Sequence, residues 1–182
     1  EMLDTGVTGD LLFGKISFRT GQDVKAPQPY LYDEKKFIIL DLGVHTLDVA
    51  RALLGEANTV FCRHRRVDPR IKGEDMATVM MGHTSTATST TDFTYESRKL
   101  PDYASQTLVS LEGTKGAVEV YPGFRVAITD GNKLTVEEPP AVMKDWPNGW
   151  THAAQDSVYF TQKHWVDCFL SGREPETSGH DN

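Results

Sequence analysis

The sequence predicts an α+β domain, an open and mainly antiparallel sheet with helices packed on one face. Three observations carry that expectation. A strand and a long helix-periodic segment open the chain, six or seven strand-like runs joined mostly by hairpin turns follow, and a second helical segment closes it. The regular strand–helix alternation of a parallel, doubly wound sheet is missing.

Across residues 11–20, Leu12, Ile16 and Phe18 share one parity and Lys15, Ser17 and Arg19 the other, which predicts a strand with one buried face after a Thr8-Gly9-Asp10 turn. Residues 21–36 are polar, contain Pro27 and Pro29 and end in a charged cluster. They read as a long surface loop anchored by Tyr30 and Tyr32, of the kind that often borders a site. From Phe37 the period changes. Ile38, Leu42, Val49 and Leu53, flanked by Ile39, Leu47, Ala50 and Leu54, recur at helical spacing until Gly55 offers a stop.

Residues 58–67 return to strand character, and 75–83 follow as a strand expected to be half-buried on both faces. The Thr- and Ser-rich run 84–95 suits a strand better than a helix and reads as a solvated one. Gly113-Thr-Lys-Gly116 and Asp130-Gly-Asn132 each sit between strand-like runs and predict antiparallel hairpins. Val158, Trp165, Val166, Phe169 and Leu170 mark the closing helix, ended by Gly172. With no evident repeat or linker, residues 1–182 read as a single domain.

At 182 residues, with 38% hydrophobic and 25% charged residues, the composition is that of a folded globular chain. Its net charge of −7 repels phosphate backbones and anionic lipid surfaces, so nucleic acid and membrane are not expected partners. No apolar run approaches the ~20 residues of a membrane span. Cys62 and Cys168 lack metal-spaced partners and fit reduced thiols in a cytoplasm. No glycine-rich nucleotide-binding loop is present, so the fragment itself is expected to bind no dinucleotide.

Asp41-Leu-Gly-Val-His45 is the candidate for chemistry. Residues four apart share a helix face, placing a carboxylate beside an imidazole that can exchange a hydroxyl proton near neutral pH. Gly43 between them costs about 1 kcal/mol of helix propensity, which points to a close approach to the backbone. One bland reading stands beside this: a helix-stabilising Asp–His pair, with Gly43 relieving a helix–sheet contact. Asp41 and His45 as two ligands of a metal is a further alternative, with no third ligand at a telling spacing. His152, in Gly149-Trp-Thr-His152, is a candidate substrate contact on a loop before a helix. His64 lies among Arg63, Arg65 and Arg66 and reads as part of a solvated basic edge, while His83, His164 and His180 read as surface or capping residues.

Asp41-Leu-Gly-Val-His45-Thr-Leu-Asp48 with Leu53-Leu-Gly55, then Gly73-Glu-Asp-Met-Ala77, Glu112-Gly-Thr-Lys-Gly116 and Gly172-Arg-Glu-Pro-Glu-Thr-Ser-Gly179, resembles the C-terminal domain of the Gfo/Idh/MocA oxidoreductases. The resemblance implies an α+β domain that follows a Rossmann domain holding NAD or NADP. It implies oxidation or reduction at a hydroxyl carbon of a sugar, inositol or related polyol, with Asp41 and His45 contacting the reacting hydroxyl. The family's Rossmann fingerprint and its Glu-Lys-Pro lysine are absent, as in a fragment that begins after the first domain. The family's glycine run before the Asp–His motif is replaced by Phe37-Ile-Ile-Leu40.

The expectation is therefore the substrate-binding and oligomerising domain of an NAD(P)-dependent dehydrogenase, inactive alone, with His45 moving the proton and Asp41 placing the hydroxyl. A homo-oligomer is expected through the exposed sheet face, with Phe93, Tyr95 and Val109 as candidate apolar positions. A non-catalytic carbohydrate-binding or scaffold module and a metal-dependent lyase or isomerase are the alternatives.

Overall fold

The computed structural model describes residues 3–102, 106–138, 152–176 and 178, with only the backbone at 4 and 152–155. They fall into two compact units, Glu1–Pro139 and Pro140–Asn182.

In the first unit, β1 (Leu11–Arg19) leads through a long loop to a π-helical turn, Ile39–Gly43, that runs into α1 (Val44–Leu54). Then come β2 (Ala57–Arg65), β3 (Met76–His83), β4 (Thr88–Thr94), β5 (Leu108–Gly113), β6 (Gly116–Tyr121), β7 (Arg125–Asp130) and β8 (Lys133–Glu137). The eight strands form one sheet in the order β2-β3-β4-β1-β5-β6-β7-β8. Every neighbouring pair is antiparallel except β1 and β4, whose parallel pairing follows from the long crossover that carries α1 between them. The α+β class and the open, mainly antiparallel sheet are as the sequence predicts.

The core lies between α1 and one sheet face. Ile16, Ala77, Val79, Met81, Phe93 and Leu111 from the strands meet Ile38, Leu42, Ala50 and Leu54 from the helix, each large side chain contributing about 1.5–3 kcal/mol on full burial. The helix stops where Gly55 takes a φ of +86°, which a side chain would resist. Asp130-Gly-Asn132 turns β7 into β8 with Gly131 at a φ of +56°, as the dipeptide predicts.

Several local expectations are corrected. Leu12 is 55% exposed because the β1–β5 register shifts there, a bulge that turns it out of the core parity. Leu31, not Tyr30, anchors the long loop, packing with Phe37 and Ile71 in a second cluster. In β3 one face alone is buried, since Ala77, Val79, Met81 and His83 point inward while Thr78 and Met80 are exposed. The Thr-rich β4 is no solvated strand. It lies third from one edge, with Ser89, Thr91 and Phe93 fully buried beneath the helix. Phe93, Tyr95 and Val109 belong to that covered face, so they are not on the open one.

The second unit contains α2 (His152–Ser171), ended at Gly172 with a φ of +67°. Arg173 N–H returns to the Cys168 carbonyl at 2.9 Å, and the tail is held again where Glu176 N–H donates to His164 Nε2 at 3.0 Å.

Candidate functional site

The helix bearing Asp41 and His45 is started by a distant part of the chain. Glu74 Oε1 accepts from the N–H groups of Phe37 at 3.1 Å and Ile39 at 3.4 Å, and the Glu74 carbonyl accepts from Ile38 at 3.0 Å. A carboxylate thus satisfies the donors that a helix start leaves unpaired. Gly73 permits the approach, because a Cβ there would meet the Glu34 carbonyl at 2.7 Å. Next to it, fully buried Asp75 accepts from the Val67 and Asp68 N–H groups, each at 2.7 Å. The Gly73-Glu-Asp segment is therefore a backbone clamp.

Asp41 lies within the π turn, where Val44 N–H reaches the Ile39 carbonyl five residues back. Such turns are frequent at functional sites. Its half-buried carboxylate turns toward β4, and Tyr95 Oη donates to Asp41 Oδ2 at 2.6 Å. The Tyr95 ring stacks on Phe37 with centroids 5.7 Å apart. Burial pushes the Tyr95 phenol well above its ordinary pKa, and the Asp41 carboxylate pushes it further, so the group stays a donor. His45 is exposed in the first turn of α1, and no hydrogen bond or ion pair joins it to Asp41 among the described residues. The exposed side chains Leu40 and Val44 lie beside it. Asp48 faces Arg51 at 3.9 Å.

The close approach at Gly43 is the sheet's. A Cβ there would lie 2.8 Å from Phe93 Cζ, so this glycine relieves a helix–sheet contact and leaves no opening for a ligand.

Of the other histidines, His83 departs from the sequence expectation. His83 is buried, with Nδ1 donating to the Gly55 carbonyl at 2.7 Å and Nε2 lying 2.8 Å from Ser89 Oγ, which ties the end of α1 to β4. His164 secures the tail after α2. His64 lies on β2, exposed along its whole length, in keeping with a solvated basic edge. The side chain of His152, the rest of Gly149-Trp-Thr-His152, and His180 lie outside the described residues. Tyr95 and Glu74 are the site residues that sequence reading missed. The i,i+2 pair Phe93 and Tyr95 was the available signal, since two aromatics of one parity mark a buried face.

Two clefts of about 240 and 230 Å³ share Ser17, Lys99 and Leu108 and are lined by neither Asp41 nor His45. Among the described residues, no cluster of three His, Cys, Asp or Glu side chains converges on one point. At the start of the π turn the Glu74 carboxylate already takes the N–H groups of Phe37 and Ile39 and would repel a phosphate there.

The family model for the GFO/IDH/MocA C-terminal domain matches residues 1–119. This chain belongs to that family. Among Gfo/Idh/MocA relatives, it is 40% identical over 181 residues to a D-apiose dehydrogenase of Rhizobium rhizogenes, covering 100% of this chain and 52% of that protein. It is 38% identical to a D-apiose dehydrogenase of Paraburkholderia graminis, covering 99% of this chain and 48% of that one. An oxidoreductase from Agrobacterium radiobacter, solved in complex with NAD+, L-tartaric acid and magnesium, superposes with a TM-score of 0.93 at 40% identity, over 99% of this chain and 53% of that one. The chain thus spans about half the length of the curated relatives it matches. No helix among the described residues is long and apolar enough to cross a membrane.

Proposed function

We propose that this chain is the substrate-side half of an NAD-dependent dehydrogenase that acts on a hydroxyl carbon of a sugar or polyol, an aldose of the D-apiose type being the first to test. One observation carries the reading. In a chain that matches two D-apiose dehydrogenases over at least 99% of its length, Asp41 has Oδ2 held by Tyr95 and Oδ1 without a partner among the described residues, and His45 stands exposed four residues on.

Oxidising a carbinol carbon removes a hydride from carbon and a proton from oxygen. NAD, when bound, would supply the acceptor for the hydride. The work assigned to this chain concerns the hydroxyl alone. Asp41 Oδ1 accepts a hydrogen bond from a substrate hydroxyl and orients it, and the neutral His45 imidazole takes the proton. His152, at the start of α2, stays a third candidate contact.

Two further readings belong here. We place the protein in the cytoplasm, on the strength of its two free cysteines. We also propose self-association through the sheet face opposite α1, where the cross-strand pair Phe61 and Met80 is 63% and 49% exposed; light scattering of the intact protein tests it, and a monomer at high concentration excludes it.

The catalytic reading is tested in the intact dehydrogenase. His45→Ala lowers turnover about 10²–10⁴-fold, the usual contribution of a positioned base, with NAD affinity little changed. Asp41→Asn weakens sugar binding or turnover while the fold stays intact, and His152→Ala reports on the third contact. A purely helix-stabilising pair predicts instead a few tenths of a kcal/mol in stability and normal kinetics. Unchanged turnover in His45→Ala, with an accepted sugar, ends the catalytic reading of this helix.

A further inference from the structure

We propose that Tyr95 is the positioning residue of the site, holding one oxygen of Asp41 so that the other meets the substrate hydroxyl at a set angle. This rests on the role assigned to Asp41 above.

A carboxylate on an aspartate turns broadly about its last torsion, so its direction has to be imposed by a neighbour. Tyr95 imposes it. Its Oη lies 2.6 Å from Oδ2, the length of a charge-assisted bond, and a phenol has one proton to give. The ring is itself immobilised. It stacks on Phe37 at 5.7 Å, packs against both hydrophobic clusters, and its backbone N–H donates to the Asp75 carbonyl at 3.3 Å. Phe37 in turn is fixed by Glu74, which takes its N–H. The chain of support therefore runs from the Gly73-Glu-Asp clamp through Phe37 and Tyr95 to Asp41.

Two consequences follow from this geometry. Oδ2 is occupied, which leaves Oδ1 as the oxygen for substrate. Because the phenol already donates to it, the carboxylate works as an anionic acceptor that orients a hydroxyl, and the transfer of the proton falls to His45. Phe37, which stands where the family's glycine run is replaced, thereby acquires a purpose as the shelf for the Tyr95 ring.

The experiment is a double-mutant cycle in the intact dehydrogenase, assayed with D-apiose and NAD. Tyr95→Phe keeps the ring and its stacking and deletes only the hydroxyl. It is expected to lower kcat/KM about 10- to 100-fold, as the loss of a hydrogen bond to a charged, substrate-orienting group does, with the NAD dissociation constant and the thermal midpoint nearly unchanged. In an Asp41→Ala background, adding Tyr95→Phe should change kcat/KM less than about twofold, since no carboxylate remains to be aimed. An equal loss in both backgrounds means Tyr95 serves the fold, and overturns the inference. So does a normal Tyr95→Phe beside an impaired Asp41→Ala, which leaves the function reading standing. Full activity in Asp41→Ala itself removes that reading and this inference together.

Discussion

The backbone of Gly43 rests directly on the ring of Phe93: a Cβ at position 43 would lie 2.8 Å from Cζ and 2.9 Å from Cε2. The helix with the Asp–His motif is thus seated on β4 at its one residue without a side chain.

Gly43→Ala measures that seating. Alanine favours the helix by about 1 kcal/mol, whereas overpacking a filled core costs about 1–3 kcal/mol. Phe93 is fully buried and has little room to retreat, so the clash wins and the variant is expected to lose about 1–2 kcal/mol in urea unfolding. Phe93→Leu in the same chain should restore part of the loss. A Gly43→Ala protein more stable than the parent contradicts the contact.

Thr91, in the middle of β4, is fully buried with its hydroxyl unpartnered among the described residues. An unpaired buried hydroxyl carries a desolvation cost of about 1–3 kcal/mol. Thr91→Val keeps the shape and removes that cost, so it should raise stability by about 1 kcal/mol. Thr91→Ser deletes the methyl, keeps the hydroxyl and should destabilise; the reverse order of the two melting temperatures would refute this account of β4.

Asp68 ties the loop after β2 to the long loop after β1. Its nearly buried carboxylate takes Arg70 Nε at 2.9 Å and Nη2 at 2.8 Å and lies 3.5 Å from buried Lys25, whose ammonium also meets Glu96 at 2.8 Å. Hydrogen bonds from Arg70 hold the Asp68 carboxyl well below its usual pKa, with Lys25 assisting. Burial alone would lower the Lys25 ammonium, but Glu96 and Asp68 outweigh it and raise its pKa. A carboxyl depressed in the folded state stabilises fully above its unfolded pKa of about 4 and loses that contribution as pH falls further. The melting temperature should therefore drop on acidification below about pH 4, and more shallowly in Asp68→Asn than in the parent. Parallel profiles for the two proteins would dissociate Asp68 from the acid limb.

How much of this was legible in the amino-acid order depends on the range of the interaction. Helical spacing from Ile38 to Leu54, the stop at Gly55, the Asp130-Gly-Asn132 hairpin and the segment around Asp41 and His45 are all written within a few residues, and the α+β class follows from their order. What the sequence could not decide was which strand is covered. A Thr-rich run such as β4 looks solvated by composition, yet its pairing with both β1 and β3 places it under α1 and buries Phe93. Burial of a strand depends on its neighbours in the sheet, and those neighbours come from distant parts of the chain. The site divides the same way. The motif marks Asp41 and His45 because four residues span one helical turn, but the bond Asp41 makes is to Tyr95, 54 residues away, and the helix is begun by Glu74, 35 to 37 residues beyond the groups it caps. Spacing along one helix specifies which side chains share a face; only the packing of that helix against the sheet and its loops settles which groups they touch.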